Sequence, residues 1–274
     1  MLNVQNISYK IGANRLLKDI SFHAKPSQLI AIIGPNGAGK TTLLQAIANE
    51  ISITGKILYK EKSINDWNAK TLAQHKAKFS QHHTQDIPLS VQEVVMMGRY
   101  PYFENTPHRI DLKVITKAMQ ITDVFSLKKH PYNQLSGGEK QRVHLARVMA
   151  QLDNDISQKM LLLDEPLNNL DVYHQHQMLY KIKAFTQQGN IGIMVIHDLN
   201  LAAQFADYVL LLKQGALIAA GTPEEVLQPK IICNVYEFPC QRISHPFSKS
   251  PMIIFGEQQS ISTEQKSIIY EHRN

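Results

Sequence analysis

At 274 residues, with 43% hydrophobic and 19% charged side chains, the chain has the composition of a globular protein and is long enough for a sizeable core in one or two domains. Its apolar runs, such as Tyr208 to Leu212, stop far short of the roughly 18 residues a membrane span requires, so it is not expected to cross a bilayer unaided. A net charge of +6 and a pI near 9.1 would suit an anionic partner, but the Lys and Arg residues are scattered, which favours a solvated surface over a nucleic-acid interface.

The start, Met1-Leu2-Asn3-Val4-Gln5-Asn6, lacks the basic and apolar segments of a signal peptide, which makes the cytoplasm the expected compartment. Short strands are predicted over Asn3 to Tyr9, Lys18 to His23 and Leu29 to Ile33, with a turn at Gly12-Ala13-Asn14. Tyr9 is the only aromatic ring of the first strand and offers a flat face on which a base could stack; a core or rim tyrosine explains it equally well.

The apolar run ending at Ile33 leads into Gly34-Pro35-Asn36-Gly37-Ala38-Gly39-Lys40-Thr41-Thr42, which fits G-x-x-x-x-G-K-[ST], and Leu43, Leu44 and Ile47 follow at helical spacing. Strand, glycine loop and helix in that order form a phosphate cradle. Backbone N–H groups and the positive end of a helix hold a polyphosphate that bulky Cβ atoms would keep at a distance. Lys40 is expected to reach the β and γ phosphates and Thr41 the Mg²⁺.

Gly55 to Tyr59 reads as a further strand and Lys78-Phe79-Ser80-Gln81 as a strand end. The pairs His82-His83 and His174-x-His176 have no Cys, Asp or Glu at ligand spacing, so no metal site is expected of them. From about 86 to 150, Pro88, Pro101 and Pro107 punctuate apolar residues at helical spacing: Val91, Val94, Val95, then Val114, Ile115, Ala118, Met119. This pattern predicts an inserted helical subdomain, with Met96-Met97 as packing filler. Leu135-Ser136-Gly137-Gly138-Glu139-Lys140-Gln141-Arg142 then places a serine and two glycines before a helix, a second anion-binding start. One nucleotide needs only one such cradle. The second is therefore expected to address a nucleotide held by another copy, in a head-to-tail dimer with two shared sites.

Met160-Leu161-Leu162-Leu163-Asp164-Glu165 reads as a buried strand ending in two carboxylates, where the crevice rule for α/β sheets places ligands. Strand alternation aims neighbouring side chains apart, so Asp164 is expected to bind Mg²⁺ through its hydration shell and Glu165 to polarise a water in line with the γ-phosphate. The strand Ile191 to Ile196 delivers His197 to the same edge, where it can donate to the γ-phosphate or the attacking water. Tyr208 to Leu212 and Ala216 to Ala220 form a hairpin over Gln214-Gly215. Cys233 and Cys240 read as free thiols, because two cysteines make no disulfide framework and their spacing suits no common zinc pattern. The tail from about 256, rich in Gln, Ser, Lys and Glu, is expected to be weakly ordered.

With these residues in hand, the chain resembles the ATP-binding subunit of ABC transporters over nearly its whole length. Gly34 to Thr42 is similar to the Walker A loop, Leu135 to Glu139 to the signature, Met160 to Asp164 with Glu165 to Walker B, and His197 to the switch histidine. The resemblance implies an α/β fold: a P-loop NTPase core with an N-terminal antiparallel β subdomain and an inserted helical subdomain. It also implies an ATPase domain over 2–241 and a C-terminal extension over 242–274. Gln81 stands at the Q-loop glutamine, which touches Mg²⁺ and the lytic water and links the site to the membrane partner. Tyr9 stands at the adenine-stacking aromatic, and Ser136, Gly137, Gly138 and Glu139 would face the opposite protomer's ATP. Asp171 ends the D-loop, which here reads Leu167-Asn168-Asn169-Leu170-Asp171 where the family usually has Thr-Ser-Ala-Leu-Asp.

Within the family, Ser90 to Pro101 is similar to the iron-siderophore, haem and cobalamin importers. Ala146 to Leu152, Tyr173-His174-Gln175 and the tail from Val235-Tyr236 to His245-Pro246 are most similar to haemin importers. The resemblance implies an ATP-hydrolysing subunit for haemin import, or alternatively for iron-siderophore or cobalamin import, with ATP and Mg²⁺ as cofactors. It would work as a homodimer on two transmembrane permease subunits, indirectly with a periplasmic substrate-binding protein, at the cytoplasmic face of the inner membrane. A DNA-maintenance ATPase would carry a long coiled coil between Lys40 and Ser136, where there are no sustained heptads. A ribosome-associated ABC protein would carry two cassettes, and here there is one set of motifs.

Overall fold

The structure, a computed structural model, describes residues 1–80 and 88–256. Gln81, the His82-His83 pair and the tail from 257 lie outside the described residues.

Chain order begins with a hairpin of β1 (Leu2–Ile11) and β2 (Asn14–Ala24), both longer than the sequence pattern predicts. Bulges explain the blurred alternation. Asn6 and Asp19 take positive φ beside register shifts, so the inward set moves from Leu2 and Val4 to Ile7 in β1 and from Leu17 to Ile20 and Phe22 in β2. β3 (Leu29–Ile33) feeds the glycine loop and α1 (Lys40–Ile47). Next come β4 (Thr54–Tyr59), β5 (Lys62–Ser63), α2 (Ala69–His75) and β6 (Lys76–Phe79). The helical stretch holds α3 (Val91–Met96), α4 (Arg109–Ile121) and α5 (Gly137–Leu152). Then follow β7 (Met160–Asp164), α6 (Val172–Gln187), β8 (Ile191–Val195), α7 (Leu199–Phe205), β9 (Tyr208–Lys213) and β10 (Ala216–Gly221). The described chain closes with α8 (Pro223–Val226), α9 (Pro229–Tyr236), β11 (Cys240–Ser244) and β12 (Pro251–Phe255).

The central sheet runs β10-β9-β3-β8-β7-β6, parallel throughout except for the β9–β10 hairpin. Parallel strands are covered on both faces, which is why β3, β7 and β8 are continuous apolar runs with every residue buried. Leu29, Ala31, Ile33, Leu161 and Leu163 face one core with α5, α6, α7 and α9, while Ile30, Ile32, Met160 and Leu162 face a second with α1 and the antiparallel sheet β2-β1-β4-β5. Each such Leu or Ile contributes about 1.5–3 kcal/mol by leaving water. Because Ile32 and Asp164 both pair with Val195, the C-terminal ends of β3, β7 and β8 line up on one edge.

The helical subdomain packs α3, α4 and one face of α5 around Val94, Val95, Ile115, Met119 and Val143, close to the set its periodicity predicts. α5 belongs to two bodies, since Leu145, Val148 and Leu152 face the central core. A buried ion pair pins the subdomain: Arg99 Nε donates to Asp111 Oδ1 at 2.9 Å, and Arg99 Nη1 donates to the carbonyls of Ala150 (2.8 Å) and Asp153 (3.0 Å). Arg99 is 4% and Asp111 0% exposed. Removing one partner leaves the other charge buried alone, so Asp111→Ala is expected to lower stability by about 3–5 kcal/mol, read as a drop in the denaturant midpoint. An unchanged midpoint would show that the pair does not hold the subdomain.

Two expectations need correction. Cys233 and Cys240 are not free thiols but are bonded to each other, with Cα atoms 5.7 Å apart. Glu237 ends α9 in a left-handed conformation (φ 55), which turns the chain back and brings β11 beside the helix, a reversal that cysteine spacing does not reveal. The domain limit after 241 also falls inside β11. That strand pairs with β12, whose Ile253 is buried in the central core and exchanges hydrogen bonds with Asn200 on α7, so the main body extends at least to Phe255.

Candidate active site

The glycine loop is built for close approach. Gly34 has φ 144, and a Cβ there would sit 2.2 Å from the Leu212 carbonyl oxygen; Gly39, the left-handed N-cap of α1 at φ 96, would place one 2.7 Å from that of Leu16. Only glycine fits either place. The Lys40 side chain turns back over the loop, its Nζ donating to Gly34 O at 2.8 Å and Pro35 O at 3.0 Å. Burial pushes this ammonium below its ordinary value, against the attraction of Glu165 and then Asp164.

Thr41 Oγ1, one residue on, donates to Asp164 Oδ1 at 3.1 Å, which joins the start of α1 to the end of β7. These two side chains offer only oxygens, the donor set a hard cation such as Mg²⁺ prefers.

Glu165 diverges from Asp164 for a different reason than strand alternation. It has left β7 and taken a left-handed conformation, φ 48, which a non-glycine residue seldom adopts. Its Oε1 lies 2.7 Å from His197 Nε2, and its Oε2 accepts from Asn168 Nδ2 at 2.8 Å. Desolvation by itself would raise this carboxyl. The hydrogen bonds from His197 and then Asn168, with the charges of His197 and Lys40, outweigh it and leave the group below the usual glutamate value. Glu165 is therefore ionised at neutral pH, the form that can accept a proton.

Ser136 caps α5 in a reciprocal box with Glu139. Its backbone N–H donates to Glu139 Oε2 at 2.8 Å, its hydroxyl donates to the same oxygen at 2.7 Å, and Glu139 N–H returns a bond to Ser136 Oγ at 3.4 Å. Those bonds from Ser136 hold the Glu139 carboxyl below its ordinary value. Gly137 and Gly138 lie against Asn169 of the same chain. Asp171 caps α6, accepting from the backbone N–H of His174 at 2.8 Å.

Tyr9 lines a cavity of about 590 Å³ with Ser8, Lys10, Arg15, Leu17 and Ile53. Arg15 also borders a second cavity of about 580 Å³ that reaches Gly37. Tyr9 is half-buried, packed against the second core, and lines a cavity separated from the glycine loop's by Arg15.

Lys40, Thr41, Asp164, Glu165 and His197 lie together at one sheet edge. Asn168 and Arg15 carry no motif that marks them for a role in the site. The first stands out only as a departure from the usual D-loop, and nothing marks the second. The capping box is legible as Ser136-x-x-Glu139. Among the described residues no group of three or more His, Cys, Asp and Glu is arranged to hold a metal, and no helix is long and apolar enough to cross a membrane.

A family model described as ABC transporter matches residues 17–168, and the chain belongs to that family. Its activity is the ATP hydrolysis, coupled to transport, that the family's ATP-binding subunits perform. The relatives include the hemin import ATP-binding protein HmuV of Pseudoalteromonas translucida (strain TAC 125), 41% identical over 86% of this chain and 92% of that protein. The protein of the same name from Idiomarina loihiensis is 39% identical over 92% of this chain and 98% of its own. Among solved structures, a chain of an inward-facing transporter described as metal-chelate type shares the fold at a TM-score of 0.79 and 23% identity, covering 94% of this chain and 97% of that one. A dimeric ATP-binding cassette bound to ADP and phosphate matches at a TM-score of 0.70 and 25% identity over 81% of this chain and 99% of its own. The P-loop NTPase fold expected from the motifs is therefore the fold of the chain.

Proposed function

We propose that the chain is the ATPase that energises haemin import across the inner membrane. Two copies would dock, peripherally on the cytoplasmic face, on two transmembrane permease subunits fed by a periplasmic substrate-binding protein. The observation that carries the cargo assignment is the 41% identity, over 86% of the chain, to a protein named for hemin import. Iron-siderophore or cobalamin import by the same machinery is the rival reading.

In the mechanism we propose, residues 34–42 and Lys40 hold the triphosphate, Tyr9 stacks on the adenine, and Ser136, Gly137, Gly138 and Glu139 of the opposite protomer close over the γ-phosphate. Thr41 and Asp164, with Gln81, would hold Mg²⁺, which when bound neutralises charge on the β and γ phosphates. Glu165 takes a proton from a water whose oxygen attacks the γ-phosphorus as the bond to the β–γ bridging oxygen breaks, releasing ADP and phosphate. His197 donates to the γ-phosphate, and for this it must exchange its present bond to Glu165. Because Ser136 already donates to Glu139, seating the partner's ATP likewise requires one hydrogen bond to be traded for another. Closure of the dimer moves the permease, and hydrolysis reopens it.

The cargo assignment is tested with the complex reconstituted from this chain, its permease and the periplasmic protein. Haemin-loaded binding protein is expected to stimulate ATP hydrolysis severalfold over the empty protein. Equal or greater stimulation by a ferric siderophore or cobalamin would overturn it.

A further inference from the structure

We infer that Asn168 is a positioning residue for the hydrolytic base: its side-chain amide holds Oε2 of Glu165 and so leaves Oε1 as the oxygen that takes the proton from water. This rests on the reading of Glu165 as the base.

The local chain geometry makes the contact specific. Glu165 starts a tight turn in the left-handed region, and Asn169 is left-handed again at φ 60. Between them the Asn168 backbone N–H approaches the Glu165 carbonyl at 3.4 Å, which folds the Asn168 side chain back onto the carboxylate at 2.8 Å. The turn is not loose. Pro166 and Leu167 are buried, Leu170 is buried at the far side, and Gln175 Nε2 donates to the Leu167 carbonyl at 3.3 Å.

His197 occupies the other oxygen through Nε2 at 2.7 Å. One N–H cannot donate well to a carboxylate and a phosphate at once. When His197 turns to the γ-phosphate, Oε1 is released and the amide of Asn168 keeps the carboxylate from rotating about its own torsions. An amide is suited to this because it donates without a charge of its own and does not compete for the proton.

The experiment uses the full chain in its reconstituted complex. Asn168→Leu, of similar size but without a donor, is expected to lower kcat about tenfold, the worth of one hydrogen bond to a charged group, while KM for ATP stays within about twofold. Asn168→Gln, which keeps the amide donor on one further methylene, recovers part of the loss. In the Glu165→Gln background the same Asn168→Leu change alters the single-turnover rate by less than about twofold, because no base is left to be positioned. A kcat at the parent level in Asn168→Leu overturns the inference, and so does an equal fold loss in both backgrounds, which marks a purely structural role. If Glu165→Gln itself turns over at the parent's rate, the base assignment falls and takes the positioning role with it. An inert Glu165→Gln beside an unaffected Asn168→Leu sinks the positioning role alone.

Discussion

Glu165→Gln is expected to lower kcat for ATP hydrolysis by about 10²- to 10⁴-fold, the range of a general base, while leaving ATP bound. Glutamine keeps the length of the side chain but only one oxygen, so it can still accept from Asn168 as Oε2 does at 2.8 Å, while its NH2 faces His197 Nε2 in place of the oxygen found at 2.7 Å and the turn itself is unaltered. What it loses is the ionised oxygen. Since closure draws on binding contacts and reopening on bond cleavage, the variant should accumulate as a closed, ATP-loaded dimer. Phosphate release measures the first outcome and the sedimentation of the protein with Mg·ATP the second. Undiminished turnover would reject Glu165 as the base.

Lys40→Ala should fail one step earlier. The lysine is 6% exposed and its ammonium is set among the carbonyls of Gly34 and Pro35, with Asp164 and Glu165 in electrostatic range, so it is a buried cation placed where a polyphosphate would arrive. A hydrogen bond to a charged group is worth about 1.5–3 kcal/mol, which predicts ATP binding roughly 10- to 150-fold weaker. Titration calorimetry reads this directly, and a melting curve without nucleotide separates it from damage to the loop. Affinity equal to the parent's would argue against the cradle.

These two variants divide the site along the line that separates local from long-range information. The cradle is contiguous: β3, the loop and the first turn of α1 fall within residues 29 to 47, and the demand for glycine at 34 and 39 comes from the backbone geometry of that short stretch. Walker B was legible for the same reason; the same short spacing, Ser136 to Glu139, marks the capping box of α5, where the sequence pattern predicts an anion-binding helix start instead. The union of Glu165 with His197, 32 residues on, depends on β7 and β8 being neighbours in parallel register, which no single segment encodes.

The sequence by itself marked the residues proposed to carry the chemistry, because nucleotide-binding loops and strand-end carboxylates are short-range devices with fixed spacings. Only the tertiary structure decided how they engage. It took Glu165 out of the strand into a left-handed turn, gave its second oxygen to Asn168, placed Arg15 between the Tyr9 cavity and the glycine loop, joined Cys233 to Cys240, and drew β12 onto the central core. The physical reasons are two: the Arg15 placement and the docking of β12 depend on packing between distant segments, whereas the Glu165 turn, its bond to Asn168 and the Cys233–Cys240 bridge are local but hang on left-handed residues, Glu165, Asn169 and Glu237, that no spacing marks.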